Sequence, residues 1–244
     1  MEVHHHSHTA RRKWTHYFWE FLMLFLAVFC GFLAEWKLEH TIEHQREVQY
    51  MKSLVEDLDK DIVIIEKEME SAREQLIGLD SLTRIIYSNS RDSQSVGKLY
   101  ELQRQYLRPL ALNLINRTEV QLKNAGGMRL VRNRAVVDSI IQFWVVTELL
   151  FHTRDNINTH RDRAKDLSFS IFNNKYYKDS TGFSAGSYHE QPVLMSTDGN
   201  TLIEFANRVS HMRDLLKFNY TSRLLRLLSN AKGLLVLLNR EYSL

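Results

Sequence analysis

From Tyr17 to Trp36 the sequence "YFWEFLMLFLAVFCGFLAEW" is interrupted by charge only at Glu20 and Glu35. A helix of that length, rising about 1.5 Å per residue, spans roughly 30 Å, which is the thickness of a bilayer's hydrocarbon layer. Trp14, Tyr17, Trp19 and Trp36 gather at its two ends, where amphipathic rings favour the headgroup region. Residues 14–36 therefore read as a transmembrane helix. A cleaved signal fits less well, because cutting after Ala34 leaves Phe32 where a small residue is needed. Lipid attachment at Cys30 meets a similar obstacle in Phe29, and the Arg11-Arg12 pair lacks the apolar continuation of a twin-arginine signal, which Thr15 breaks.

Charge beside the span sets its expected orientation. Arg11, Arg12 and Lys13 crowd its start, whereas Lys37 and Arg46 stand among Glu39, Glu43 and Glu47 after it. The positive-inside rule places the N-terminus in the cytoplasm and residues 37–244 on the far side. On this reading the tail, residues 1–13, is short, basic and His-rich, and holds no output domain.

The remaining residues suffice for one cored domain or two small ones. Nine glycines and two prolines in the chain, with abundant Leu, Glu, Arg, Lys and Gln, are the usage of long helices. A formal charge of +3 gives no sign of a nucleic-acid partner. The single cysteine, Cys30, lies within the span, so the outer domain has no disulfide and depends on packing. That suits a bacterial periplasm.

Helical stepping is plain along the chain. Met51, Val55, Leu58, Ile62, Ile65, Met69, Ala72, Leu76 and Leu79 alternate by four and three with no glycine or proline back to the span. This predicts a stalk helix over about 37–87. A helix over about 96–108 follows and ends near Pro109; short helices occupy about 117–131, where Gly126-Gly127 supplies a stop. A long helix is expected over about 134–172, a connection over 173–198, and a C-terminal helix over about 200–241 carrying Leu202, Phe205, Val209, Met212, Leu216, Tyr220, Leu224, Leu227, Ala231, Leu234 and Leu238. The expected fold class is all-α: one N-terminal transmembrane helix continuing into the stalk and an antiparallel helical bundle. The C-terminal segment is too interrupted by charge to span a membrane, since Gly233 to Asn239 is its longest charge-free run.

The segments "HHSHTARRKWTHYFWEFLMLFLAVFCGFLAE", "EHQREVQYMKSLVEDL" and "RTEVQLKNAGGMRLVRN" resemble an uncharacterised family of bacterial single-pass inner-membrane proteins with a His-rich N-terminus and a helical periplasmic domain. They make up about a quarter of the chain. The resemblance implies an inner-membrane location and a helical periplasmic part, and brings no activity, cofactor or catalytic residue.

Candidate chemistry is sparse. His4, His5, His6 and His8 are dense enough to ligate a transition metal, and His40 and His44 share one helix face at i, i+4. Against these stand a solvated tail and a solvated juxtamembrane face. Glu20 places a carboxylate in the span, where it serves either a proton path or helix recognition, or simply reaches headgroups or pairs with Arg11, Lys13 or His16. The carboxylates of "EDLDKD", Glu56 to Asp61, read as the wet side of the stalk helix. There is no phosphate loop or HExxH, and no cysteine outside the span to act as a nucleophile, so no catalytic or cofactor-binding residue is assigned.

Three functional expectations follow. The first is a non-enzymatic structural or assembly subunit that binds the bilayer and other membrane or periplasmic proteins, or further copies of itself. The second is a periplasmic ligand sensor signalling through a partner, with the aromatic connection "YYKDSTGFSAGSYHE" beside Trp144 as its pocket. The third is an accessory subunit of an ion-driven machine, resting on Glu20.

Overall fold

A computed structural model describes residues 14–124, 126–177 and 191–244. These residues are all-α, with helices α1 (Trp14–Tyr87), α2 (Ser93–Tyr106), α3 (Arg117–Asn124), α4 (Arg134–Ser168), α5 (Gly199–Asp214) and α6 (Thr221–Tyr242). Short 3-10 turns occupy Gly127–Leu130 and Asn174–Tyr176, and a π-turn, Leu215–Tyr220, joins α5 to α6. No strand occurs among the described residues; Phe172 and Leu194 form one isolated antiparallel bridge. The candidate metal ligands His4, His5, His6 and His8, the basic anchor Arg11, Arg12 and Lys13, and residues 178–190 lie outside the described residues.

Helix starts follow local chemistry. Asp92, Asn133 and Asp198 precede α2, α4 and α5, and each side chain accepts a backbone N–H of the first turn, from Ser95, Ala135 and Thr201 respectively. Gly126 takes φ +64°, the left-handed conformation a glycine adopts without cost, and turns the chain into Gly127–Leu130.

The chain divides into two compact units between Tyr50 and Met51. In the first, α1 carries a stretch long and apolar enough to cross a membrane by length and composition, and none of that stretch is buried. Phe21, Phe25 and Phe29 stack along it at 6.3 and 5.9 Å between ring centroids, the i, i+4 spacing that puts side chains on one helix face.

The second unit, from Met51 onward, packs as a core of long helices. Along α1, Met51, Leu58, Ile65, Ala72 and Leu79 recur every seven residues and are at most 1% exposed. Lys232 to Glu66 (2.8 Å), Arg213 to Asp80 (2.8 Å) and Tyr87 to Asn207 (3.0 Å) link this part of α1 to α5 and α6, with residue numbers rising on one side and falling on the other. Asn133 to Glu241 (2.7 Å) and Arg223 to the Leu149 carbonyl (3.2 Å) set α4 against α6 in the same opposed sense. A second helix, α4, also passes the length and composition test for a span, but 39% of its apolar stretch is buried. Val136, Ile140, Phe143 and Leu150 are in the core, whereas Ile141, Val145 and Leu149 of the same stretch stay exposed.

The π-turn has a readable cause. Met212, Leu216, Tyr220 and Leu224 are spaced by four, four and four, yet all four are at most 1% exposed. In a regular helix three steps of four overshoot three full turns by about 120° and would carry Leu224 off the core face. The Thr221 N–H reaches back to the Leu216 carbonyl, the i to i−5 bond that absorbs one surplus residue. The apolar face before the turn and the one after it thereby stay aligned.

Candidate functional site

The heptad on α1 has a second inward position three residues after the first. It reads Leu54, Asp61, Glu68, Gln75 and Leu82, so its three middle places are polar. Asp61 and Gln75 are 2% exposed and Asp57 is 3% exposed. The expectation that the "EDLDKD" carboxylates are the wet side of the helix therefore fails at Asp57 and Asp61. Burying such groups is costly unless each finds a partner.

Their partner is a non-helical strap, residues 107–116, that follows α2. Pro109 stops the helix, and Leu107, Leu110 and Leu112 then turn into the core at 2%, 6% and 1% exposure. A strap without a neighbouring strand has no ladder to satisfy its backbone. Side chains of α1 and α4 replace one. Gln75 Nε2 donates to the carbonyls of Tyr106 (2.8 Å) and Arg108 (3.0 Å). Asn158 Oδ1 accepts the Leu110 N–H at 2.9 Å while its Nδ2 donates to the Leu110 carbonyl at 3.1 Å. Arg154 Nη1 donates to the Leu112 carbonyl (2.8 Å), and Asp61 Oδ1 accepts the Ile115 N–H (2.8 Å). Asp57 then caps α3 from another helix, accepting the Thr118 N–H (3.1 Å), the Thr118 hydroxyl and Arg117 Nη2 (2.8 Å).

These contacts set the electrostatics. Burial pushes the Asp61 carboxyl up to about 6; the Ile115 N–H pulls the other way, and the nearby charges of Asp57 and Glu119 add to the rise. Seven residues on, burial also raises Glu68, opposed by the hydrogen bond from Tyr220 and the charges of Arg108 and Arg154. Tyr220, fully buried at the end of the π-turn, donates its hydroxyl to Glu68 Oε1 at 2.9 Å. Burial, then the Glu68 charge, drives its phenol upward.

The other sequence candidates lie elsewhere. His40 and His44 are on α1 in the first unit, each beside the carboxylate three residues later: Glu43 at 3.9 Å and Glu47 at 3.2 Å. Among the described residues no group of three or more His, Cys, Asp and Glu side chains is placed to hold a metal. Glu20 is exposed on the surface of α1, between Trp19 and Phe21. Tyr176 and Tyr177 pack on Tyr100 at 5.9 and 5.3 Å, and the Tyr100 hydroxyl accepts the Asn173 N–H (2.9 Å) and donates to the Val193 carbonyl (2.8 Å). Trp144 sits under Lys123 at 4.7 Å, more than six turns before the end of α4. An open cleft of about 630 Å³ lies at the end of α1, lined by Asp80, Thr83, Arg84, Tyr87, Ser88 and Arg213. Its Arg213 is already bound to Asp80 and Asp214, both at 2.8 Å.

The polar line of buried Asp57, Asp61 and Gln75 with half-buried Glu68 is what sequence reasoning missed. Its signal was present as Asp, Glu and Gln recurring every seven residues three places after an apolar seam. Chemically the arrangement fixes a segment: each group meets a backbone amide, a carbonyl or a phenol. No family model, characterised protein or solved structure matches the chain.

Proposed function

We propose that this protein is a non-enzymatic structural or assembly subunit, held in a bacterial inner membrane by the first part of α1, with the N-terminus cytoplasmic and residues 37–244 periplasmic. In this reading α1 is at once anchor and stalk, and the second unit is an antiparallel helical bundle that binds other membrane or periplasmic proteins, or further copies of this chain. One observation carries it: a single helix, Trp14–Tyr87, supplies both an unburied apolar stretch of membrane length and a buried heptad seam of the second unit. The resemblance of the quoted segments to single-pass inner-membrane proteins supports the location. The polar line adds to it, because side chains in the core are spent on holding the strap and α3 in one register, the property of a rigid platform.

The periplasmic sensor and the ion-driven accessory subunit are the other readings. Of the aromatic connection that motivates the sensor, the described residues Tyr176 and Tyr177 meet Tyr100, and its remaining residues, 178–190, lie outside the described ones. Glu20 alone supports the ion-driven machine, and Glu20→Gln with unchanged assembly and proton-dependent activity would end that case.

Topology tests the anchor. With Cys30→Ser as background, Ser229→Cys places one thiol on an exposed position of α6. A membrane-impermeant maleimide should label it in intact spheroplasts. Labelling only after lysis would overturn the orientation.

A further inference from the structure

Two imidazoles from different helices face each other in the second unit. His160 of α4 and His211 of α5 have ring centroids 4.5 Å apart, with planes inclined by 76°. His160 is half-buried and His211 exposed, so a solute reaches the pair from outside. Among the described residues neither ring has a hydrogen bond or ion pair, although a half-buried imidazole ordinarily spends at least one nitrogen on a partner. Burial first, then His211 and the Arg163 charge, holds the His160 ring below its usual imidazolium range.

We propose that His160 and His211 together form a binding site for a divalent late transition metal, of the Zn²⁺, Ni²⁺ or Cu²⁺ class, with water completing the coordination. Imidazole nitrogen is the ligand these ions share, whereas Mg²⁺ and Ca²⁺ demand oxygen. The spacing suits it. A metal–nitrogen bond of about 2.1 Å puts each ring centre roughly 3.2 Å from the ion, so cis angles between square and tetrahedral separate the centres by about 4.5–5.2 Å. The observed separation is at the near end of that interval. The rings now meet edge to face, so binding needs one of them turned about χ2, the broad torsion of histidine, to bring a nitrogen of each to the ion. Arg163 lowers the affinity, and two protein ligands make this an open, exchangeable site instead of a closed structural one. Its effect is mechanical: a bound ion ties α4 to α5.

The test uses the full chain in mild detergent, with His4, His5, His6, His8, His40 and His44 replaced so that no other histidine group competes. Ni²⁺ is titrated calorimetrically, and thermal unfolding is followed with and without the ion. The proposal predicts one ion per chain and a raised unfolding midpoint, both lost in His160→Gln and equally in His211→Gln. His211 is exposed, so its variant keeps the test intact should His160→Gln fail to fold. Absence of binding in the parent background, or Ni²⁺ retained undiminished by folded His211→Gln, would overturn it.

Discussion

Deleting one residue inside the π-turn should be nearly harmless, while deleting one further along the same helix should be severe. Removing Phe218, which is 64% exposed, converts the steps of four, four and four into four, three and four, the stepping a regular helix accommodates. Both apolar faces stay aligned and no buried side chain is lost, so the expected cost is below about 1 kcal/mol. Removing the exposed Ser229 rotates everything after it by about 100°. Ala231, Leu234 and Leu238, now at most 2% exposed, would leave the core. Two leucines at about 1.5–3 kcal/mol each give a loss of roughly 3–6 kcal/mol before the alanine is counted. Urea unfolding of the full chain in mild detergent, followed by helical circular dichroism, compares the midpoints at a common slope. Equal losses for the two deletions would refute the view that the π-turn exists to absorb a surplus residue.

Three further outcomes follow from the polar line and its neighbours. Asp61 has a raised carboxyl pKa in the folded state, about 6 against 3.8, so its contribution to stability is complete below about pH 4 and is lost as pH rises through 6. That is roughly 3 kcal/mol between pH 4 and 7, with Glu68 acting in the same direction. Asp61→Asn should flatten this slope in unfolding titrations, and an unchanged slope would contradict it. Asn158→Ala leaves the buried Leu110 N–H and carbonyl unpaired and should cost roughly 2–4 kcal/mol, seen as a lower urea midpoint; Asn158→Asp keeps only the acceptor and should fall between. Gly78→Ala would drive a methyl group into the Tyr106 ring and should cost about 1–3 kcal/mol, recovered in part when Tyr106→Ala is added; the absence of coupling in that double-mutant cycle would count against the contact.

The all-helical class was legible because apolar residues step by three and four through long stretches with few glycines and prolines. That signal concerns one face of one helix at a time. It does not say what docks on the other faces, so Asp57 and Asp61 read as solvated when they are roofed by a strap that lacks periodicity of its own. Pro109 marked where a helix must end. Nothing local showed that residues 107–116 would lie non-helical over the core, because their backbone is satisfied by Gln75, Asn158, Arg154 and Asp61, up to 54 positions away. The π-turn was written in the spacing of Met212 to Leu224, a surplus that shows only when each step is measured against 3.6 residues. The His160–His211 meeting depends on how α4 and α5 pack, which no sequence window contains.

The central claim, that this chain is an anchored subunit of an assembly, is tested most directly by the mass of the native, untagged particle. Gentle-detergent extraction from its own membranes, with every co-purifying chain identified, should give a particle larger than one chain, with partners or further copies in fixed stoichiometry. A monodisperse single chain of 28.8 kDa in its detergent belt, with nothing bound, would contradict it.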